Sequence, residues 1–98
     1  MRDAAFVIQS FRDGEAQAIY EGRHSRRFAA LQRVIERKLL LLDSAKTLDD
    51  LRSPPGNRLE ALRGDRAGQY SIRVNDQLRI CFRWSNVGPT DVEIVDYH

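Results

Sequence analysis

The chain has 98 residues, a formal net charge of +2 and a mean hydropathy of −0.51. A chain of this length makes one domain that buries about 60–65% of the surface its unfolded form exposes, so one sheet under one layer of helices is the limit and no second catalytic domain fits. No apolar run approaches the ~18 residues a membrane span needs, and the opening MRDAAFVIQSF lacks the basic-then-apolar plan of a signal peptide, so a cytoplasmic protein without membrane contact is expected.

The single cysteine, Cys81, excludes an internal disulfide, and no His/Cys cluster has metal-ligand spacing, so neither metal nor cofactor is expected. Between Ile80 and Phe82, Cys81 reads as a small strand residue and not as a nucleophile, because nothing near it in sequence supplies a base. Charge distribution says more than net charge. Of 16 basic residues 14 are arginine, and between Arg58 and Arg83 six arginines face three acids. The planar guanidinium forks onto two phosphate oxygens and stacks on bases, which lysine does less well.

In chain order, Phe6 to Phe11 is apolar enough for a first strand, and Arg12-Asp13-Gly14 reads as a turn with Asp13 a helix cap. Glu15 to Glu21 makes a short helix ended by Gly22. Arg23, His24, Ser25, Arg26 and Arg27 form a basic connection, read as a solvated loop in which Ser25 caps the next helix and His24 has no role. From Arg26 to about Lys46, Phe28, Leu31, Val34, Ile35, Leu39, Leu42 and Ala45 recur at spacings of three and four, the period of a helix with one buried stripe. Leu40 and Leu41 widen that stripe and suggest contact with something besides the sheet, a partner protein being one candidate.

Asp49 to Asn57, with Pro54-Pro55-Gly56-Asn57, stops the helix and turns the chain. Short strands come next at Leu59–Leu62, Gln69–Val74, Leu78–Trp84 and Asp91–Tyr97, the first two separated by a turn at Gly64–Gly68. Tyr70, Ile72 and Val74 alternate with Ser71 and Arg73; Leu78, Ile80, Phe82 and Trp84 alternate with Arg79, Cys81 and Arg83. Each strand therefore has an apolar face for the helices and a polar, open one. The predicted class is α+β, with two amino-terminal helices on one face of a twisted, mainly antiparallel sheet, in the order β-α-α-β-β-β-β.

Residues opposite one another in a hairpin share a face, so Ile72 and Ile80 meet in the core only if paired positions sum to an even number. A three-residue Asn75-Asp76-Gln77 loop satisfies this, pairs Val74 with Leu78 and sets Arg73 opposite Arg79. The same parity allows Trp84 to pair with Val92 and Phe82 with Ile94, which brings Tyr97 beside Arg79; the long loop containing Gly88-Pro89 leaves this register free to slip by two residues, the parity being the firmer part. Arg73, Arg79 and Tyr97 would then lie in one row. Two arginines face to face are unfavourable by up to about 1 kcal/mol, relieved either by splaying into water or by an anion between them.

The chain's last three residues, Asp96, Tyr97 and His98, add an acid, a phenol and an imidazole to these arginines. That inventory can cut RNA without a metal. RNA carries its own nucleophile, the 2'-hydroxyl, so an enzyme has only to remove that proton, neutralise the phosphorane and protonate the leaving 5'-oxygen. General acid–base groups contribute roughly 10²- to 10⁴-fold, and preorganised positive donors about as much again. His98 has the unperturbed pKa nearest neutrality, about 6.5. Glu60 is a base if its pKa is raised, Tyr97 can orient the nucleophile or stack on a base, and Asp96 can orient a neighbour.

The run LEALRGDRAGQYSIRVNDQLRICFRW followed by VEIVDYH, together with IQSF near residue 10 and PPGN at 54–57, resembles the HigB toxins, a branch of the RelE/ParE superfamily. The resemblance implies a single RelE-like domain over residues 1–98 that acts as a ribosome-dependent, metal-independent endoribonuclease on mRNA in the 30S A site. Its implied partners are the ribosome with its mRNA and a HigA-like helix-turn-helix antitoxin. It implies Arg79 and Arg63 on phosphate, Tyr97 and His98 on substrate and proton, and Asp96 beside them, with Arg58, Arg66 and Arg73 as further RNA contacts. Many members read His-Pro-Leu-Lys-Gly-Asp-Arg where this chain reads Glu60-Ala61-Leu62-Arg63-Gly64-Asp65-Arg66, so a glutamate stands where the catalytic histidine would be. Two other readings remain open: a ParE-like inhibitor of DNA gyrase on the same fold, and a non-catalytic module whose basic face binds RNA or a partner.

Overall fold

The structure is a computed structural model, and it describes residues 7–96. Helices α1 (Gly14–Tyr20) and α2 (Gln32–Ser44) precede a four-stranded antiparallel sheet of β1 (Glu60–Ala61), β2 (Tyr70–Arg73), β3 (Leu78–Ser85) and β4 (Gly88–Asp96), ordered β1-β2-β3-β4. This is the α+β class read from the sequence.

Asp13 starts α1 as expected: its Oδ1 accepts the Ala16 N–H at 2.6 Å. The chain leaves the helix at Gly22, whose φ of +86° is a left-handed conformation that glycine adopts without strain. The second helix is shorter than its periodicity predicts. Residues 26–31 form a turn and a 3₁₀ segment, and α2 proper begins at Gln32. Side chains account for the break. Ser25 Oγ accepts from Phe28 N at 3.1 Å, while the Gln32 amide accepts from Ser25 N and donates to the Arg23 carbonyl, which bends the chain at the helix entrance.

The predicted stripe is nonetheless the core. Phe28, Ile35, Leu39, Leu42 and Ala45 are buried, and Leu31 and Val34 pack against them. Each buried leucine or isoleucine is worth roughly 1.5–3 kcal/mol. They meet Ile72, Ile80, Phe82, Val92 and Ile94 from the sheet. Of the two extra leucines, Leu41 joins this core, whereas Leu40 is 56% exposed and lines a groove of about 390 Å³ between α1 and α2.

The expected first strand is replaced by a looser edge contact. Phe6 lies outside the described residues, and residues 8–12 run parallel to β4 with one bridge, Phe11 to Val92. Ser10 O accepts Val92 N at 3.1 Å, and Arg12 N donates to Val92 O at 2.9 Å. The buried Asp43 carboxylate ties this segment down, its Oδ1 accepting Ile8 N at 2.9 Å and the Tyr20 hydroxyl at 3.0 Å. β4 is bulged beside this contact at Asp91, where φ is 51° and the N–H donates to Ser10 Oγ at 2.9 Å, and beyond the bulge Gln9 N donates to Pro89 O at 2.8 Å.

The β2–β3 register is the one parity demands: Ile72 pairs with Ile80 and Arg73 with Arg79, and Val74 N donates to Leu78 O across the three-residue loop. The β3–β4 register keeps the even parity from Leu78 to Cys81 but is slipped by two residues from the expected pairing. Ile80, and not Phe82, pairs with Ile94, and Arg79 lies opposite Val95. The extra residue at the Asp91 bulge changes the parity beyond it, so Arg83 pairs with Thr90 and Trp84 with Pro89. The connection expected to be long is a tight turn at residues 86–87, with Ser85 paired to Gly88.

The first sheet strand is also shorter than expected. Arg58 precedes it in the left-handed region, φ 45°, and Gly64, φ 63°, turns the chain after it. The loop predicted over residues 49–57 holds two 3₁₀ turns, Leu48–Arg52 and Pro55–Asn57, around the fully buried Asn57. The Asn57 amide donates to the carbonyls of Leu51 and Ser53 and accepts from Lys38 Nζ at 2.5 Å.

Candidate active site

The sheet face turned away from the helices is not open at its centre, contrary to the expectation from alternation. Ser71 and Cys81 are both 0% exposed on it. Arginine side chains and residues 58–69 roof it over, because a two-helix layer leaves this face to be covered by whatever long side chains can lie along it.

The expected facing pair Arg73–Arg79 exists, and its repulsion is relieved by divergence toward separate partners. Arg73 pairs with Asp76 of the hairpin loop. Arg79 turns the other way, across β2 toward β1, where its Nε donates to Ser71 Oγ at 2.7 Å and its Nη2 to the Arg58 carbonyl at 2.6 Å. The left-handed turn at Arg58 aims that carbonyl inward. The remaining nitrogen, Nη1, stands 3.8 Å from Glu60 Oε1, an ion pair too long for a hydrogen bond. The Arg79 side chain is 14% exposed and that of Glu60 58%. The site therefore holds a mostly buried, restrained guanidinium with one edge turned toward a solvated carboxylate. Nη1 is the position where a phosphate oxygen could be received.

The other predicted residues are distributed around this pair. Arg66 is occupied by the protein itself, its Nη1 donating to Glu93 Oε1 at 2.6 Å and to Gln69 Oε1 at 3.0 Å, and so pinning the Gly64–Arg66 turn onto the sheet. Arg63 is exposed at the entrance to that turn, and Arg58 contributes its carbonyl while its side chain is exposed. Arg83 stands 3.7 Å from Asp91. Asp96 closes β4 opposite Leu78, one position past the Val95–Arg79 pair, and is exposed. Tyr97 and His98 lie outside the described residues, and the third place of the predicted Arg73–Arg79–Tyr97 row belongs to Val95.

Two residues near the site are not marked as partners by the sequence. Alternation identifies Ser71 only as a polar-face residue, although parity places it on the same face as Arg79 and one diagonal away. Lys38 of α2 carries no signal at all. Its pKa is lowered by burial first, then by the positive charges of Arg37 and Arg73, so the helix brings a further cationic group toward the Arg73 end of the row. The basic connection at residues 23–27 takes no part: Arg23 pairs with Glu21 at 2.7 Å and Arg27 stacks 4.7 Å over the Phe28 ring, on the helical side of the molecule.

Residues 9–98 match the family model described as the RelE-like toxin of type II toxin-antitoxin system HigB. The chain belongs to this family. A curated relative, Toxin HigB-1 of Vibrio cholerae serotype O1, is 43% identical over 76 residues, covering 76% of this chain and 80% of that one. An uncharacterised protein of Haemophilus influenzae is 38% identical over 80 residues, 80% of this chain and 79% of the other. Among solved structures, a YoeB/ParE toxin from Agrobacterium tumefaciens superposes with a TM-score of 0.52 at 22% identity over 94% of this chain and 98% of its own, which establishes the shared fold. As a HigB-like toxin of a type II system, the protein has an antitoxin for a partner. None of the helices among the described residues of this HigB-like toxin is long and apolar enough to cross a membrane.

Proposed function

We propose that this HigB-like toxin is a ribosome-dependent, metal-independent endoribonuclease that cuts mRNA in the 30S A site and thereby stops translation, acting in the cytoplasm as a single domain spanning residues 1–98. The observation that supports this reading most strongly is the restrained Arg79 guanidinium with its Nη1 edge facing the Glu60 carboxylate at 3.8 Å. A fixed cation and a movable base side by side are what the first half of RNA cleavage needs. Arg79 takes a non-bridging phosphate oxygen and stabilises the phosphorane, and it does so without reorganising, which is where preorganised donors gain most. Displaced from the cation by that phosphate, Glu60 is free to take the 2'-hydroxyl proton in the place of the histidine many family members carry.

Arg63 adds a second, exposed contact to phosphate and Arg58 a further exposed cation, whereas Arg66 and Arg73, paired with Glu93 and Asp76, reach RNA only by exchanging those partners for phosphate. β4 ends at Asp96 opposite Leu78, and the two residues that follow it in sequence, Tyr97 and His98, are assigned to stacking on the base and protonating the 5'-oxygen. A HigA-like antitoxin is the expected regulator.

Expression of the wild type and of Arg79→Ala, Glu60→Gln and His98-deleted variants in bacteria, with mapping of mRNA 5'-ends, tests the proposal. Codon-phased ends that fall roughly 10²- to 10³-fold in the Arg79→Ala strain are expected, the loss typical of removing one preorganised donor. Arrested cells with intact transcripts and a DNA-damage response would replace it with gyrase inhibition. Intact transcripts with unchanged arrest in the Glu60 and His98 variants would indicate a binding module.

A further inference from the structure

Resting on that reading, we infer that Ser71 is a positioning residue for Arg79, holding the guanidinium in the one rotamer that turns Nη1 toward the phosphate site. Arginine is a long, four-torsion side chain, and in solution it samples many rotamers; a site that needs its charge within tenths of an ångström must remove that freedom before substrate arrives. The fold does so with two acceptors. Ser71 Oγ receives Nε at 2.7 Å, and the Arg58 carbonyl receives Nη2 at 2.6 Å, with the Ser71 carbonyl a weaker third acceptor at 3.4 Å. Together they engage two of the three nitrogens along one side of the planar group and leave Nη1 as its working edge.

The serine's own surroundings support the assignment. It is 0% exposed in the middle of the sheet, opposite Glu60 on one side and Cys81 on the other, where a polar side chain is costly unless it is bonded. Its hydroxyl acts on a cation, and charge-assisted bonds are the stronger and more directional kind. Buried beneath the guanidinium it binds, Ser71 acts through Arg79. The Arg58 carbonyl cannot be deleted by a side-chain change, which makes Ser71 the testable half of the clamp.

The test compares wild type with Ser71→Ala, using ribosome-bound mRNA cleavage to separate kcat from KM and nitrogen-resolved NMR of the arginine Nε–H groups. Expected are a roughly tenfold fall in kcat with KM within about twofold, and an Arg79 Nε–H that exchanges slowly with solvent in wild type and fast in the variant. If Ser71→Ala does not fold, Ser71→Cys, kept reduced because Cys81 lies opposite, supplies a slightly larger side chain with a poorer acceptor and is read the same way. A variant that cleaves at the wild-type rate overturns the inference, as does a slowed variant whose Arg79 Nε–H stays protected. Those results leave an active wild type behind, whereas failure of the endoribonuclease reading would show as wild type that cuts no mRNA.

Discussion

Asp13 uses both carboxylate oxygens to join two parts of the fold, and replacing it should be among the most damaging surface-side changes in the chain. Oδ1 caps α1 through Ala16 N at 2.6 Å, and Oδ2 accepts Ile94 N of β4 at 2.8 Å. A lost cap costs about 1 kcal/mol, and a lost hydrogen bond from a nearly buried backbone N–H to a charged acceptor roughly 1.5–3 kcal/mol. Asp13→Ala should therefore destabilise the domain by about 2.5–4 kcal/mol, and at roughly 4–8 °C per kcal/mol for a chain of this size Tm should fall by some 10–30 °C. Asp13→Asn separates the two bonds. Its carbonyl oxygen still caps, but its amide meets Ile94 N donor to donor, so about 1.5–3 kcal/mol of the loss should persist. Urea unfolding followed by circular dichroism, with the slope unchanged, measures both. An alanine variant within about 0.5 kcal/mol of wild type, or an asparagine variant as stable as wild type, would refute the claim that one carboxylate ties α1 to β4.

Other outcomes rest on single contacts. Gly68 has φ +91°, and a Cβ there would sit 2.9 Å from Arg83 Nη1; because the arginine tip can swing away, the backbone sets the cost, about 1–2 kcal/mol for Gly68→Ala. Thermal denaturation of the Gly68→Ala/Arg83→Ala double variant should show no recovery if that ordering is right. Asn57→Ala should cost about 3 kcal/mol in chemical denaturation, since Lys38 Nζ and the carbonyls of Leu51 and Ser53 all lose a buried partner. The Asp50 carboxyl is held below the ordinary value of 3.8 chiefly by the backbone N–H groups of Lys46 and Thr47. Its folded-state pKa is depressed, so its contribution is present above 3.8 and is lost as pH falls through the folded value. Acid unfolding of Asp50→Asn should accordingly be less steep in that range than that of wild type.

Several features are legible in the sequence because they are local or periodic. Asp13 as a cap, Gly22 as a stop and the apolar stripe from Phe28 to Ala45 each rest on spacing along the chain, and the side-chain period of two is enough to place Arg73 opposite Arg79. The departures are equally specific. The Arg26–Gln32 stretch carries helical periodicity, yet Gln32 bonds back to Ser25 and Arg23 and bends it. Across β3–β4 the parity holds from Leu78 to Cys81, two residues away from the expected pairing, and turns odd toward Trp84 because one residue, Asp91, adopts a left-handed φ and inserts a bulge, a state open to any short polar residue and unmarked in the sequence.

The candidate site divides along the same line. Residue types alone carry the chemistry: arginines for phosphate, an acid at position 60, and the Asp96-Tyr97-His98 ending. Which arginine is restrained and which is neutralised depends on contacts that only folding makes, Arg79 reaching back to Ser71 and Arg58 while Arg66 and Arg73 meet Glu93 and Asp76. Composition and period are properties a chain carries before it folds, whereas the partner of a long charged side chain is chosen only when strands and loops have brought a carbonyl, a hydroxyl or a carboxylate within about 3 Å of it.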